Sequence, residues 1–335
     1  MTKILVIRFS SIGDIVLTSP VVRCISNQLD NTEVHFLTKT QYVNLVESNP
    51  YIDKVHGWDD DDAKLILSNL RKENYAFIVD LHNNLRTLRV KLALLKKSKA
   101  FPKLNLKKWF LVQFKKDLMP NIHVVDRYFE TVKSLGVKND LQGLDFFINI
   151  DQESFRKRFE YLEKYIVMAI GGKFATKKMP PEQLIEILRG QPVPIILIGG
   201  KEDREVGEII RNALPNQQIN NTCGGLTIHE SAQVVKDAAL LITHDTGMMH
   251  IGTAFKLPIV SIWGNTVPAF GMYPYRPQSP MSYSIHEVKD LDCRPCSKIG
   301  YNKCPKGHFK CMLNQDITEI RKQIDEFLDN FLLYS

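Results

Sequence analysis

The stretch THDTGMMHIGTAFKLPIVSIW, running from Thr243 to Trp263, decides the fold. Leu240, Leu241 and Ile242 just before it form a short apolar run of the kind that makes a buried parallel strand, and Pro258 to Trp263 forms another. A helix-length segment separates the two. Asp245, Thr246 and Gly247 fall where the first strand turns into that helix, so unpaired backbone N–H groups and the positive end of the helix dipole point at the strand's carboxyl edge. Such a corner binds phosphate. His250 lies one turn beyond Thr246 and Gly247 on the same side. Gly252 and Ala254 are small enough for the helix to pack closely on a sheet. The same residues also suit any strand–helix–strand unit with an N-capping Asp.

Working outward, 335 residues fit two α/β domains of ~150 residues each. With 44% apolar residues the composition is that of a globular protein, and no apolar run approaches the ~20 residues of a membrane span. MTKILVIRF reads as a first strand rather than as a signal peptide, so a cytoplasmic location is expected. In that compartment six cysteines serve as thiols or metal ligands rather than as disulfides. The net charge of +7 favours an acidic partner without choosing among nucleic acid, anionic lipid and phosphorylated sugar.

In the first half, Lys3–Phe9, Glu33–Leu37, Lys54–Trp58 and Ala76–Leu81 read as strands separated by helix-length segments, a pattern that predicts a parallel sheet. Phe146–Ile150 reads as a last strand. After the first strand, Ser10, Ser11 and Gly13 form a tight polar turn, and Asp14 opens an apolar-periodic helix expected to reach about Leu29, with Pro20 as a flaw inside it. The turn is too short and too poor in glycine for a dinucleotide fingerprint or a P-loop. Asp14 suits a helix cap as well as a site. DLHNNLRTLRV places His82, Asn83, Asn84 and Arg86 at a strand's carboxyl end, where ligands bind in open α/β sheets. From Lys91 to Lys116 the chain is strongly basic and interleaved with Leu, Phe and Trp109, which suits anionic membrane surfaces, phosphorylated ligands or a plain solvated face.

The second half repeats the alternation. Tyr165–Ile170 and Pro194–Ile198 are expected strands, GGKFATKK a loop carrying Lys173, Lys177 and Lys178, and Pro180–Leu188 and Thr227–Lys236 expected helices. Ile317, Ile320, Ile324, Phe327, Leu328 and Phe331 fall at helical spacing in a closing amphipathic helix. Ahead of that helix, CRPCSKIGYNKCPKGHFKC holds Cys293, Cys296, Cys304 and Cys311, with His308 as a spare ligand; this is either a structural zinc site or a loop packed by reduced thiols. The expected division is 1–155 and 156–335, with a ligand clamped in a cleft between two sheet edges. A carboxylate, Asp14, set against a lysine-bearing, helix-capped pole suits displacement at an activated sugar. The carboxylate takes a proton from the acceptor hydroxyl, and the cationic pole stabilises the departing diphosphate.

RFSSIGDIVLTSP, DLHNNLRT, HVVDRYFETVKSLGV, TKKMPPE, LIGGKEDRE and THDTGMMHIGTAFKLPIVSIWG, in that order, resemble glycosyltransferase family 9, the lipopolysaccharide heptosyltransferases. The resemblance implies a GT-B architecture of two Rossmann-like parallel-sheet domains, with acceptor on the N-terminal side, nucleotide sugar on the C-terminal side, and an inverting mechanism that needs no metal. Carried over by position, Asp14 is the general base and Lys177 meets the donor diphosphate. Thr176, Asp203, Leu226, Asp245, Thr246, Gly247 and His250 fall to the donor, and Ser10, Ser11, Gly13, Asn84 and Arg86 to the acceptor. The implied partners are ADP-heptose or a related nucleotide sugar, a phosphorylated lipid-linked saccharide and, peripherally, the inner membrane surface, with no nucleic acid. Two departures bear on the donor: Met179 stands where the family commonly has tryptophan, and Gly172 and Lys173 where small hydroxyl residues are common. A nucleotide-sugar-binding or scaffolding protein of the same fold is the alternative.

Overall fold

The computed structural model describes residues 1–158, 162, 164–279 and 282–334. The chain divides into two compact units, one of Met1–Leu104 with Ile122–Phe147 and the other of Asn105–Asn121 with Ile148–Ser335.

In the first unit the strands β1 (Thr2–Ile7), β2 (Thr32–Lys39), β3 (Lys54–Trp58), β4 (Phe77–Asp80) and β5 (Lys97–Ala100) form one sheet. Its order is β3-β2-β1-β4-β5 and every pair is parallel. Ile4, Leu5, Val6 and Ile7 are all buried, as a central strand covered on both faces requires. The second unit contains β6 (Ile166–Ala169), β7 (Ile195–Ile198), β8 (Ile219–Asn221), β9 (Leu240–His244), β10 (Ile259–Trp263) and β11 (Tyr283–Glu287). They run β11-β10-β9-β6-β7-β8, again all parallel. This is a doubly wound order, and each sheet reverses direction beside its first strand, between β1 and β4 and between β6 and β9. Ligands bind outside the carboxyl ends of strands at such reversals.

Both faces of the second sheet are apolar. Ile166, Met168, Ile195 and Leu197 pack with Ile187 and Leu188 on one side; Val167, Ile196 and Leu241 pack with Val235 and Met249 on the other. A fully buried side chain of this size contributes about 1.5–3 kcal/mol. The helix Gly247–Ala254 lies against this sheet at a distance that Gly252 permits, since a Cβ there would stand 2.3 Å from Leu241 Cδ2. The closing helix Ile317–Tyr334 buries Ile320, Ile324 and Leu328 in the same core. The side chain of Phe331 lies outside the described residues, as does part of the 141–164 stretch read as a link.

Four readings of the sequence change. The helix expected from Asp14 to Leu29 is two, Ile12–Val16 and Ser19–Gln28, and Pro20 sits in the first turn of the second, where its missing N–H costs nothing. Residues 146–150 form no strand; Phe146 is buried instead as an apolar plug. The strands β5, β8 and β11 are short or polar and carry no apolar run that marks them in the sequence. The basic run from Lys91 to Lys116 is not one surface: Lys91 ends a helix, Leu85–Leu94, and pairs with buried Asp80 at 2.8 Å, Lys97–Ala100 is a strand, and Asn105–Phe114 is a helix belonging to the second unit. No helix among the described residues is long and apolar enough to cross a membrane.

Candidate active site

In the first unit the turn after β1 presents Asp14 as the third residue of the helix Ile12–Val16. Its Oδ2 accepts the Ser11 N–H at 3.1 Å and the Ser11 hydroxyl at 2.9 Å, and its Oδ1 pairs with Arg8 at 2.7 Å. The cap itself is Ser11, and Asp14 reaches back to it from the third position of the helix; this is compatible with chemistry because 22% of the Asp14 side chain remains exposed. Arg8 is buried and held from several sides. Its Nε donates to Ser10 O at 2.8 Å and its Nη1 to Tyr128 Oη at 3.1 Å and to Leu81 O. Burial, the largest single influence, lowers the basicity of the guanidinium, but Asp14, Tyr128 and Asp80 together outweigh it and the net direction is upward. The turn thus rests on a fixed cation, which the sequence reading overlooked. The signal was available, since Arg8 is the one charge near the carboxyl end of an otherwise apolar strand.

The other residues read toward an acceptor have structural partners. Gly13 is buried and its carbonyl accepts from Leu17 N–H at 2.9 Å. Asn84 caps the helix Leu85–Leu94 through Thr87 N–H at 3.0 Å, and Arg86 turns to Asp60 at 2.8 Å. His82 stands closer to the turn, its ring 5.6 Å from that of Phe9. Burial first, and the Arg8 charge second, bring its imidazole down to about 4, so it is neutral at physiological pH.

In the second unit the loop after β6 and the corner after β9 meet. Lys177 Nζ donates to Asp245 Oδ2 at 2.6 Å and to Asp245 O at 3.0 Å. The Thr266 hydroxyl donates to the same Oδ2 at 2.7 Å. Thr246 caps the helix Gly247–Ala254, its Oγ1 buried and without a hydrogen bond, and His250 is buried on that helix. A Cβ on Gly172 would lie 3.4 Å from Thr246 Cγ2, which brings the end of β6 to this corner. His244 beneath it accepts from Met179 N–H at 3.1 Å, and burial, with Lys178 nearby, holds its imidazole down to about 4. Met179, at the family's tryptophan position, is a core residue.

The remaining donor candidates divide. Lys178 pairs with buried Asp203 at 2.9 Å, and Asp203 also accepts from Gly200 N–H at 2.9 Å, so this acid fastens the turns after β6 and β7. Thr176 is buried and exchanges hydrogen bonds with Tyr301. Leu226 packs at the edge of the core. Lys173 is exposed, 5.6 Å over the Phe174 ring.

All six cysteines are free thiols. Cys293 Sγ and His308 Nε2 stand 3.7 Å apart, close to the separation of neighbouring ligands on one tetrahedral metal. Cys296 donates instead to Cys293 O at 3.0 Å, and burial holds its thiol up to about 12. Among the described residues one set of three ligand atoms does converge within 4.8 Å, that of His35, His56 and Glu73. There Lys3 and Lys54 already occupy Glu73, at 2.6 and 2.5 Å, and Tyr75 Oη bonds both imidazoles at 2.9 and 3.0 Å.

Two parallel Rossmann-like sheets with loops of this chemistry at their carboxyl edges define a GT-B type glycosyltransferase. The family model for glycosyltransferase family 9 (heptosyltransferase) matches residues 64–301, and the chain belongs to that family. It is 25% identical over 290 residues to lipopolysaccharide heptosyltransferase 1 of Campylobacter coli, covering 79% of this chain and 84% of that one. Two solved structures share the fold. One is the family 9 glycosyl transferase from Veillonella parvula, at a TM-score of 0.78 and 19% identity over 98% of each chain. The other is the E. coli ADP-heptose lps heptosyltransferase II, at 0.72 and 16%, covering 98% of this chain and 99% of that one. The protein is a glycosyltransferase.

Proposed function

We propose that this enzyme transfers heptose from ADP-heptose to a lipopolysaccharide core or a similar lipid-linked saccharide, with inversion at the transferred carbon. The carrying observation is the Lys177–Asp245 pair beside the Thr246-capped helix, a cation and a helix N-terminus at one corner, which together suit a diphosphate. The E. coli relative carries the same donor, ADP-heptose, in its name. In this reading the acceptor hydroxyl attacks the anomeric carbon as Asp14 takes its proton, the bond to the diphosphate breaks, and Lys177 leaves Asp245 for the charge that develops on ADP. Arg8 and Ser11 hold the base in one rotamer.

The proposal extends to a lipid-facing surface of the second unit and to the cysteine segment. Trp109, Phe110 and Phe114 pack edge to face or tilted, ring centroids 5.2–5.6 Å apart, on the helix Asn105–Phe114, with Lys107 and Lys116 exposed nearby. That mixture fits peripheral contact with an anionic, inner-membrane lipid surface. A structural zinc held by Cys293, His308 and further cysteines of the segment is the metal reading, and total metal analysis of the purified protein tests it. The decisive assay mixes protein, ADP-heptose and membrane glycolipid and measures ADP released. Release dependent on both substrates is expected. Binding of the nucleotide sugar with no release from any donor would instead favour the non-catalytic reading.

A further inference from the structure

Lys177 is a flexible cation, and its pairing with Asp245 is only as well defined as the rotamer of that carboxylate. The carboxylate is set by Thr266, whose hydroxyl donates to Oδ2 at 2.7 Å. Thr266 is in turn held from behind by Arg294, which lies between the first two cysteines of the segment 293–311. Arg294 Nη2 donates to Thr266 O at 2.8 Å and to the Glu287 carboxylate at 2.7 Å, Nη1 to Val288 O at 2.9 Å, and Nε to Gly264 O. Only 3% of this side chain is exposed, and these bonds go to backbone or to the half-buried acid Glu287.

The same short segment grips the other partner of the pair. Tyr301 N–H donates to Thr176 Oγ1 at 2.8 Å, and Thr176 N–H to Tyr301 O at 3.1 Å, one residue before Lys177. Gly300, at φ +122°, allows the approach, since a Cβ there would stand 2.7 Å from Phe174 Cβ. Midway, Cys296 N–H donates to Asn265 O at 3.2 Å.

We propose that residues 293–301 form a clip that sets the geometry of the Lys177–Asp245 pair from outside the donor site, with Arg294 as its positioning residue acting through Thr266. The clip closes a ring of contacts from Arg294 through Thr266 and Asp245 to Lys177 and back through Thr176 to Tyr301. It rests on the donor reading given above. Without the Thr266 hydroxyl, Asp245 turns fully onto Lys177, and the lysine is less available to a diphosphate. Its role is therefore in nucleotide affinity rather than in proton transfer.

The test uses ADP as the probe, titrated calorimetrically into the full-length protein, with hydrogen–deuterium exchange as a second readout. Thr266→Val, which keeps the shape and removes the hydroxyl, should weaken ADP binding roughly tenfold, the usual worth of one hydrogen bond to a charged group. Thr266→Ser should restore it to within about twofold, because the donor returns. Arg294→Lys should act like Thr266→Val and speed amide exchange across 174–178 and 243–247 while leaving the first sheet unchanged. Equal losses in the Val and Ser variants, or unchanged affinity and exchange in Thr266→Val and Arg294→Lys, overturn the clip. Wild-type protein that binds no ADP overturns the donor reading, and the exchange result then decides the clip by itself: faster exchange in Arg294→Lys upholds it and unchanged exchange sinks it.

Discussion

The two carboxylates that carry the proposed chemistry are built alike and held differently. Asp14 and Asp245 each follow a sheet's carboxyl edge, and each is gripped by one cation and one hydroxyl: Arg8 with Ser11, and Lys177 with Thr266. Arg8, however, is a buried fork pinned by Ser10 O, Leu81 O and Tyr128, whereas Lys177 is an ammonium on a four-carbon stem at the end of the short 3-10 turn Ala175–Lys177. A planar, tethered guanidinium keeps its partner in place; a single ammonium can exchange one anion for another. The first carboxylate is thus suited to remain where it is during a reaction, and the second to release its cation to a ligand.

The largest test of this contrast removes the first carboxylate's charge. Asp14→Asn should fold and bind ADP normally and lose turnover by about 10²–10⁴-fold, the typical worth of one positioned base; steady-state ADP release that stays within a factor of a few of wild type would remove Asp14 from that role. Breaking the fixed clamp comes next. Arg8→Met strands Asp14 and Tyr128, and because the pair is partly exposed the expected loss is about 2–4 kcal/mol in urea unfolding, at the lower side of what broken buried pairs cost. Lys177→Ala should cost less, because it strands only Asp245, which keeps Thr266, whereas Arg8→Met also leaves Ser10 O, Leu81 O and Tyr128 without their donor.

The histidines near the two turns sharpen the comparison through pH. His244 is held at about 4 in the folded chain, against 6.5 as its ordinary value. As pH falls the unfolded chain takes up the proton first, so this stabilisation is whole above about 6.5 and drains away toward about 4. Between near pH 7 and near pH 5 the loss amounts to about 2 kcal/mol, and His244→Gln should flatten the unfolding free energy over that window. A slope identical to wild type would mean that the ring is already protonated in the fold.

The exchangeable cation gives a smaller effect. Lys177→Ala should weaken ADP binding roughly ten- to hundredfold and lower turnover as well, because a contact to diphosphate exists in both ground and transition states. Kinetics with unchanged donor dependence would make Lys177 a purely structural partner of Asp245. Smallest is the surface term. Lys107→Gln should lower partition onto anionic vesicles about fivefold at low salt, and the difference should shrink as salt screens it. Equal partition at low salt would leave this helix of the second unit as a solvated face.

What the sequence determined by itself was whatever repeats locally. Alternating apolar runs and helix-length spacers made every strand among the described residues legible except β5, β8 and β11. The corner at Asp245–Gly247 and the turn at Asp14 were legible too, because periodicity and turn chemistry act over a few residues. Pro20 marked a break between two helices, although it was read as a flaw in one. Tertiary structure decided who holds whom. Arg8 reaches Leu81 O only after β1 and β4 pair, Thr266 reaches Asp245 only because β10 lies beside β9, and Arg294 reaches Thr266 only once the cysteine segment folds over the end of β10. Asn84 and Arg86, placed correctly at a strand's end by their sequence position, spend their side chains on Thr87 and Asp60. A side chain's chemistry is written in its own residue, but its partner is chosen by strand order, and strand order arises from packing across the whole sheet.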